Sequence, residues 1–136
     1  MNEYMVMQHN RVVAPSDKVY MLGDLALSKR FLPILNRMNG EKVLIKGNHD
    51  TEKASEYLKY FKDIRASHQL DGMLLTHIPI HPDSLSRWKA NIHGHLHANR
   101  VMTSFSMLPD HRYISVCVEQ LDDYTPISLE EIKKRI

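Results

Sequence analysis

Several things are scarce in this chain, and each scarcity excludes something. One cysteine in 136 residues rules out an internal disulfide. Cys117 lies in Tyr113-Ile114-Ser115-Val116-Cys117-Val118, which reads as a strand. No histidine stands beside it in sequence, so it reads as a core or sheet residue rather than a nucleophile. No apolar run approaches the roughly 20 residues of a membrane-spanning helix. The opening Met1-Asn2-Glu3-Tyr4 lacks the basic-then-apolar order of a secretory signal. A cytoplasmic chain with no membrane partner is therefore the expectation. A net charge of +2 is too small for electrostatics to indicate nucleic acid as a partner. Internal repeats and linkers are absent, and the length is that of a single domain over residues 1–136.

What is present is an ordinary core-forming composition, 43% apolar and 25% charged, with an excess of histidine, nine in all. Residues 1–13 read as a helix with Met1, Met5 and Val12 on its apolar side, and His9 at its surface or the core edge. Residues 19–22 and 42–46 read as buried strands. Between them Phe31, Ile34, Leu35 and Met38 recur at i, i+3, i+4 and i+7, which predicts a helix over 28–38, with Pro33 in its first turn and Asn39-Gly40 closing it. Thr51 can cap a helix reaching about residue 62, with Ala54, Tyr57, Leu58 and Phe61 inward and Lys53, Lys59 and Lys62 in solvent. Asp71-Gly72 between 66–70 and 73–76 is a hairpin signal. A short helix over 83–89, strands at 90–92 and 113–119, and a terminal helix opened by the capping box Ser128-Leu129-Glu130-Glu131 complete the pattern. The class is mixed α/β. Trp88 reads as a core anchor. His68, His81 and His111 read as structural or exposed residues.

Four apolar runs end in metal-ligand residue types, three of them beside a glycine. Residues 19–22 run into Gly23-Asp24, 43–45 into Gly47-Asn48-His49-Asp50, 73–76 into His77, and 90–92 into His93-Gly94-His95-Leu96-His97. If the four strands are neighbours in one sheet, their tips converge at one edge, where open α/β sheets collect ligands. A buried cluster of carboxylate, amide oxygen and imidazoles would be costly without compensation, and divalent cations would compensate it.

In order and spacing these motifs resemble four of the five that mark the calcineurin-like metallophosphoesterases. Residues 10–13 and 124–132 also look like those of small bacterial and phage-type members, so the resemblance covers essentially the whole chain. The fifth motif, Asp-x-His, occurs nowhere in the sequence. In that family it ends the first strand, so the resemblance implies a member N-terminally truncated relative to the family. Its fold would be a β-sandwich of two sheets flanked by helices, first strand missing. Exposed strand edges would follow, and a homodimer or domain swap is one way to cover them.

The resemblance also implies the chemistry. Asp24 would bridge two ions roughly 3.5–4 Å apart, one held by Asp24, Asn48, His77 and His95, the other by Asp24 and His97. Imidazole and carboxylate favour transition ions, Mn²⁺ first, with Fe, Zn, Ni or Mg as alternatives. His49 would face the substrate and protonate the leaving group, and Asp50 would hold its tautomer. Asn48, His49 and Arg100 are the candidate substrate contacts, and His93 is expected to point into the sheet. The expected activity is hydrolysis of a small phosphate mono- or diester, a phosphodiester or nucleotide-like ester favoured, by water activated at the metal. The alternative is a truncated or inactive metal- and phosphate-binding remnant. A His-rich α/β domain with adventitious metal affinity is a third reading, which the strand-end placement argues against.

Overall fold

Strands buried on both faces need continuous apolar runs, and two such strands organise the protein. The structure, a computed structural model, describes residues 2–23, 32–48, 50–96, 99–103, 108–117 and 125–136. It is mixed α/β with two sheets. In the first, β1 (Lys18–Met21), β2 (Glu41–Ile45) and β3 (Asp63–Arg65) run parallel with β2 central. In the second the order is β4 (Ser67–Leu70), β5 (Met73–Thr76), β6 (Ala90–His93), β7 (Tyr113–Ser115). There β4 and β5 form an antiparallel hairpin, while β5, β6 and β7 are parallel. Every residue of β6 and the last four of β2 are buried. Among the described strands β1 has a neighbour only on the β2 side.

Alternation along β2 divides the core in two. Ile45 joins Leu22, Met73, Leu75, Ala90, Ile92, Ile114 and Ile132 in a cluster drawn from both sheets. Its neighbour Leu44 points the other way, into Leu32, Leu35, Tyr57 and Phe61. The hairpin turn places Asp71 at φ 51° and Gly72 at φ 81°, the paired positive angles of a tight two-residue connection. The last helix, α3 (Leu129–Lys134), is capped as expected: the Ser128 hydroxyl oxygen accepts the Glu131 N–H at 3.1 Å. Lys133 ties α3 to the hairpin through Asp71 at 2.7 Å. Among the described residues no helix is long and apolar enough to cross a membrane.

Several local expectations need correction. In α1 (Asn2–Val12) the buried residues are Val6, Gln8 and His9, continued by Val13, while Met5 is partly buried, Val12 is half exposed and Met1 lies outside the described residues. Polar contacts select this orientation: Asn10 Nδ2 donates to the Arg37 carbonyl at 2.7 Å, and Asn39 Nδ2 donates to the Val13 carbonyl at 3.0 Å. The segment before β2 is a 3₁₀ helix, Leu32–Arg37, in which buried Leu32 and Leu35 stack one turn apart; residues 28–31 lie outside the described residues. The expected 51–62 helix is a single turn, α2 (Ala54–Tyr57), preceded by Lys53 rather than capped by Thr51, and Leu58 is exposed. Turn hydrogen bonds carry the chain on to Phe61, and the Lys62 N–H then bonds the Lys42 carbonyl at 2.7 Å as the chain enters β3. That strand, with Ile64 as its one apolar residue, carries too little pattern to be read in advance. The 83–89 helix is a 3₁₀ turn, Pro82–Arg87, with the His81 ring capping it at 3.1 Å. Trp88 is half-buried, and β7 ends at Ser115 rather than 119, of which 118–119 lie outside the described residues.

One polar residue holds the second sheet's exit loop. Asn91 is fully buried in the middle of β6. Its Oδ1 accepts the Ile80 N–H at 3.0 Å, and its Nδ2 donates to the Leu74 carbonyl at 2.9 Å and to Thr76 Oγ1 at 3.0 Å. Thr76 Oγ1 donates in turn to the Ile78 carbonyl at 2.7 Å, and the Tyr113 hydroxyl to the Ile80 carbonyl at 2.6 Å. Asn91→Leu keeps the volume and strands these partners, so a loss of about 1–3 kcal/mol is expected as a lower urea midpoint at unchanged slope.

His9 makes the fold pH-sensitive. Its Nε2 lies 2.8 Å from the Asn39 carbonyl. Burial holds its pKa below the ordinary 6.5; the carbonyl opposes this and the nearby Lys42 charge reinforces it. The unfolded chain therefore takes up a proton first as pH falls. The neutral ring's stabilisation is complete above 6.5 and declines below it until the folded-state pKa is reached. Urea midpoints measured across pH 5–8 should fall less steeply for His9→Gln than for the natural chain.

Candidate metal centre where the two sheets meet

The carboxyl ends of four strands come together around one imidazole. The four strands are not neighbours in one sheet: β1 and β2 belong to the first sheet and β5 and β6 to the second, so the tips converge across the gap between sheets. His77 follows β5 and is 4% exposed. Its Nδ1 donates to the Leu22 carbonyl, just past β1, at 2.6 Å. A carbonyl only accepts, so the proton of a neutral His77 sits on Nδ1, and Nε2 carries a lone pair. That Nε2 lies 3.0 Å from Asn48 Oδ1 and 3.2 Å from His95 Nδ1. The two rings stand nearly perpendicular, with centroids 5.0 Å apart.

Glycines make this approach close enough. Gly23 has φ +89°, and a Cβ there would fall 2.5 Å from the Gly47 nitrogen and 2.8 Å from His77 Nδ1. A Cβ at Gly94 would press on the Leu22 carbonyl at 3.2 Å. The Gly94 N–H donates to the His77 carbonyl at 2.9 Å, which fastens the β6 tip to the β5 tip. His95 has φ +71°, and the Leu96 N–H reaches back to the Gly94 carbonyl at 2.8 Å. This is the rarer, strained γ-turn; holding a non-glycine residue there costs about 1–3 kcal/mol. Such strain persists only where surrounding structure enforces it.

Supporting residues surround the cluster. Asp50 is buried, and its Oδ2 accepts the Gly47 N–H at 2.8 Å, closing the turn that carries Asn48. His93 is buried as expected, with its Nδ1 2.9 Å from the Gly94 carbonyl. Burial holds its pKa low, the Gly94 carbonyl opposes, and His77 and His95 add to the lowering. Arg100 is exposed and lines a different cleft, with Asp110 and Arg135, from the one bordered by Asn48 and His77. Asp24, His49 and His97 lie outside the described residues.

The described donor set tests whether a metal fits. Among the described residues no group of three or more His, Cys, Asp or Glu could hold an ion. What the structure brings together is two imidazole nitrogens and an amide oxygen. Imidazole nitrogen and amide oxygen are donor types that a divalent transition ion takes, and the Leu22 carbonyl orients the His77 ring as such sites require.

No family model matches the chain. An uncharacterized protein of Methanocaldococcus jannaschii is 36% identical over 142 residues, an alignment covering 100% of this chain and 75% of that protein. The chain belongs to that archaeal protein's family. A crystal structure of a protein of unknown function from Aquifex aeolicus matches with a TM-score of 0.69 and 29% identity, over 99% of this chain and 84% of that one. The family's fold thus has an experimental counterpart.

Gly23→Ala tests the close approach. It adds a methyl group against backbone at a positive φ and should cost about 1–3 kcal/mol in thermal or urea unfolding. Gly72→Ala, at a similar φ, meets only the Lys89 side chain at 3.2 Å and should cost less.

Proposed function

We propose that the chain is a metal-dependent phosphoesterase of the calcineurin-like kind, built on that family's two-sheet sandwich. The observation that carries the reading is the His77 ring, its Nδ1 bound to the Leu22 carbonyl and its Nε2 beside Asn48 Oδ1 and His95 Nδ1. That atom set matches part of the ligand set implied by the four strand-tip motifs. Asn48, His77 and His95 would hold one divalent transition ion, Mn²⁺ first, joined by Asp24; Asp24 and His97 would contribute to a second.

When bound, the metal supplies Lewis acidity toward a phosphoryl oxygen and a water acidic enough to attack near neutral pH. The chain's own residues do the rest. The Gly47 N–H to Asp50 bond keeps the Asn48 turn closed. The Leu22 carbonyl keeps the His77 proton on Nδ1. His49, between Asn48 and Asp50, delivers a proton to the departing alcohol. The absence of Asp-x-His favours a second reading, a chain that binds metal and phosphate with little turnover.

The test is hydrolysis of bis(4-nitrophenyl) phosphate with Mn²⁺, beside Mn²⁺ binding followed by electron paramagnetic resonance. Activity should vanish with chelator and fall about 10²–10⁴-fold in His49→Ala while Mn²⁺ still binds. His77→Ala should lose Mn²⁺ itself. Tight Mn²⁺ binding without hydrolysis would favour the second reading, and no Mn²⁺ binding by a folded chain would sink both.

A further inference from the structure

A cleft of about 630 Å³ opens beside the candidate centre and shares Asn48 and His77 with it. Its other walls come from the ends of β2 and β3 and from the loop after β5: Lys46, Ile64, Arg65 and Ile78. The Lys46 N–H donates to the Arg65 carbonyl at 3.0 Å, so the two strand ends adjoin, and both basic residues line the cleft. Arg65 Nε is held by Asp63 at 2.7 Å, and its Nη1 donates to His68 Nδ1 at 2.9 Å. Lys46 is exposed and has no ion-pair partner among the described residues. The Asp63 carboxylate offsets the Arg65 charge, so among the described lining residues Lys46 brings the uncompensated positive charge, with Ile64 and Ile78 as the large apolar side chains of the wall. Ile78 is 52% exposed at its rim, a large apolar side chain left facing water.

We propose that this cleft receives the alcohol side of the phosphate ester, and that this side carries an apolar body and a second anionic group. The proposal rests on the phosphoesterase reading for the position of the first phosphoryl group, at Asn48 and His77. With that group in place, the ester's other half extends past the shared rim. Its apolar part lies along Ile64 and Ile78, and its second charge meets the Lys46 ammonium and the Arg65 guanidinium. An ammonium and a guanidinium lining one cleft select for charge, whereas an uncharged alcohol gains nothing from either. Both side chains are exposed, so the preference is salt-dependent. Neither residue belongs to the strand-tip motifs, which is why the motifs alone are silent on what the alcohol portion must look like.

The test compares thymidine 3′,5′-bisphosphate with thymidine 5′-monophosphate by calorimetry in the presence of Mn²⁺, on the natural chain and on a Lys46→Ala, Arg65→Ala double variant. The natural chain should bind the bisphosphate about tenfold more tightly in low salt. The double variant should lose that preference, and so should the natural chain in 0.5 M salt. Equal binding of the two nucleotides by the natural chain, or a preference that survives the double substitution, overturns the proposal. Circular dichroism confirms that the variant is folded, as expected for two exposed positions. Mn²⁺ binding, scored separately, keeps the two ideas apart. A chain that binds Mn²⁺ without a nucleotide preference retains the phosphoesterase reading and loses the cleft. A chain that shows the preference without binding Mn²⁺ retains the cleft as an anion site and loses the metal chemistry.

Discussion

One hydrogen bond joins the two halves of this protein at the place that matters. The Leu22 carbonyl follows β1 of the first sheet and the His77 ring follows β5 of the second, and they meet at 2.6 Å. This bond closes one end of the space between sheets, satisfies a buried carbonyl, and decides which ring nitrogen keeps its proton. Because Nδ1 is committed, Nε2 is left with a lone pair, 3.0 Å from Asn48 Oδ1 and 3.2 Å from His95 Nδ1. The chemistry available at the centre therefore follows from a fold-level contact.

That contact needs backbones closer than side chains normally allow. Gly23 and Gly94 provide the space on either side of the His77 ring. The Asn91 network then fixes the loop that carries His77 from below, through Thr76 and Ile80. Packing, glycine placement and a buried amide act on the same few atoms, and the shared target is the orientation of one imidazole. The preorganised part of the site is built from main chain and second-sheet side chains; the first sheet supplies Asn48 on a turn braced by Asp50.

Much of this was legible in the sequence because it is written in local patterns. The buried parallel strands are apolar runs, the hairpin announces itself in Asp71-Gly72, and the terminal helix in Ser128 and Glu131. The strand-tip residues could be singled out by their recurrence, and Asn48, His77 and His95 do come together. What local pattern could not convey is partition: nothing in residues 19–22 or 73–76 says that they enter different sheets. β3 escaped notice because three residues with one apolar side chain carry no period, and the expected 51–62 helix is one turn followed by turn hydrogen bonds to Phe61, after which Lys62 bonds to β2. Asn91 looked like an ordinary strand residue, although a lone amide between Ala90 and Ile92 was the available hint of a buried network. Lys46 and Arg65 offered no signal, since their relation exists only once β2 and β3 pair.

At His95 the interests of folding and of the site diverge. Its γ-turn backbone suits a residue without a Cβ, yet the imidazole places a nitrogen 3.2 Å from His77. Glycine there would relax the chain and empty the position. His95 is thus a point of local frustration, and stability-directed drift would tend to erase the pairing of the two rings first at that point. A histidine kept in such a conformation among relatives would be a sign of selection for what the ring does, separable from selection for the fold.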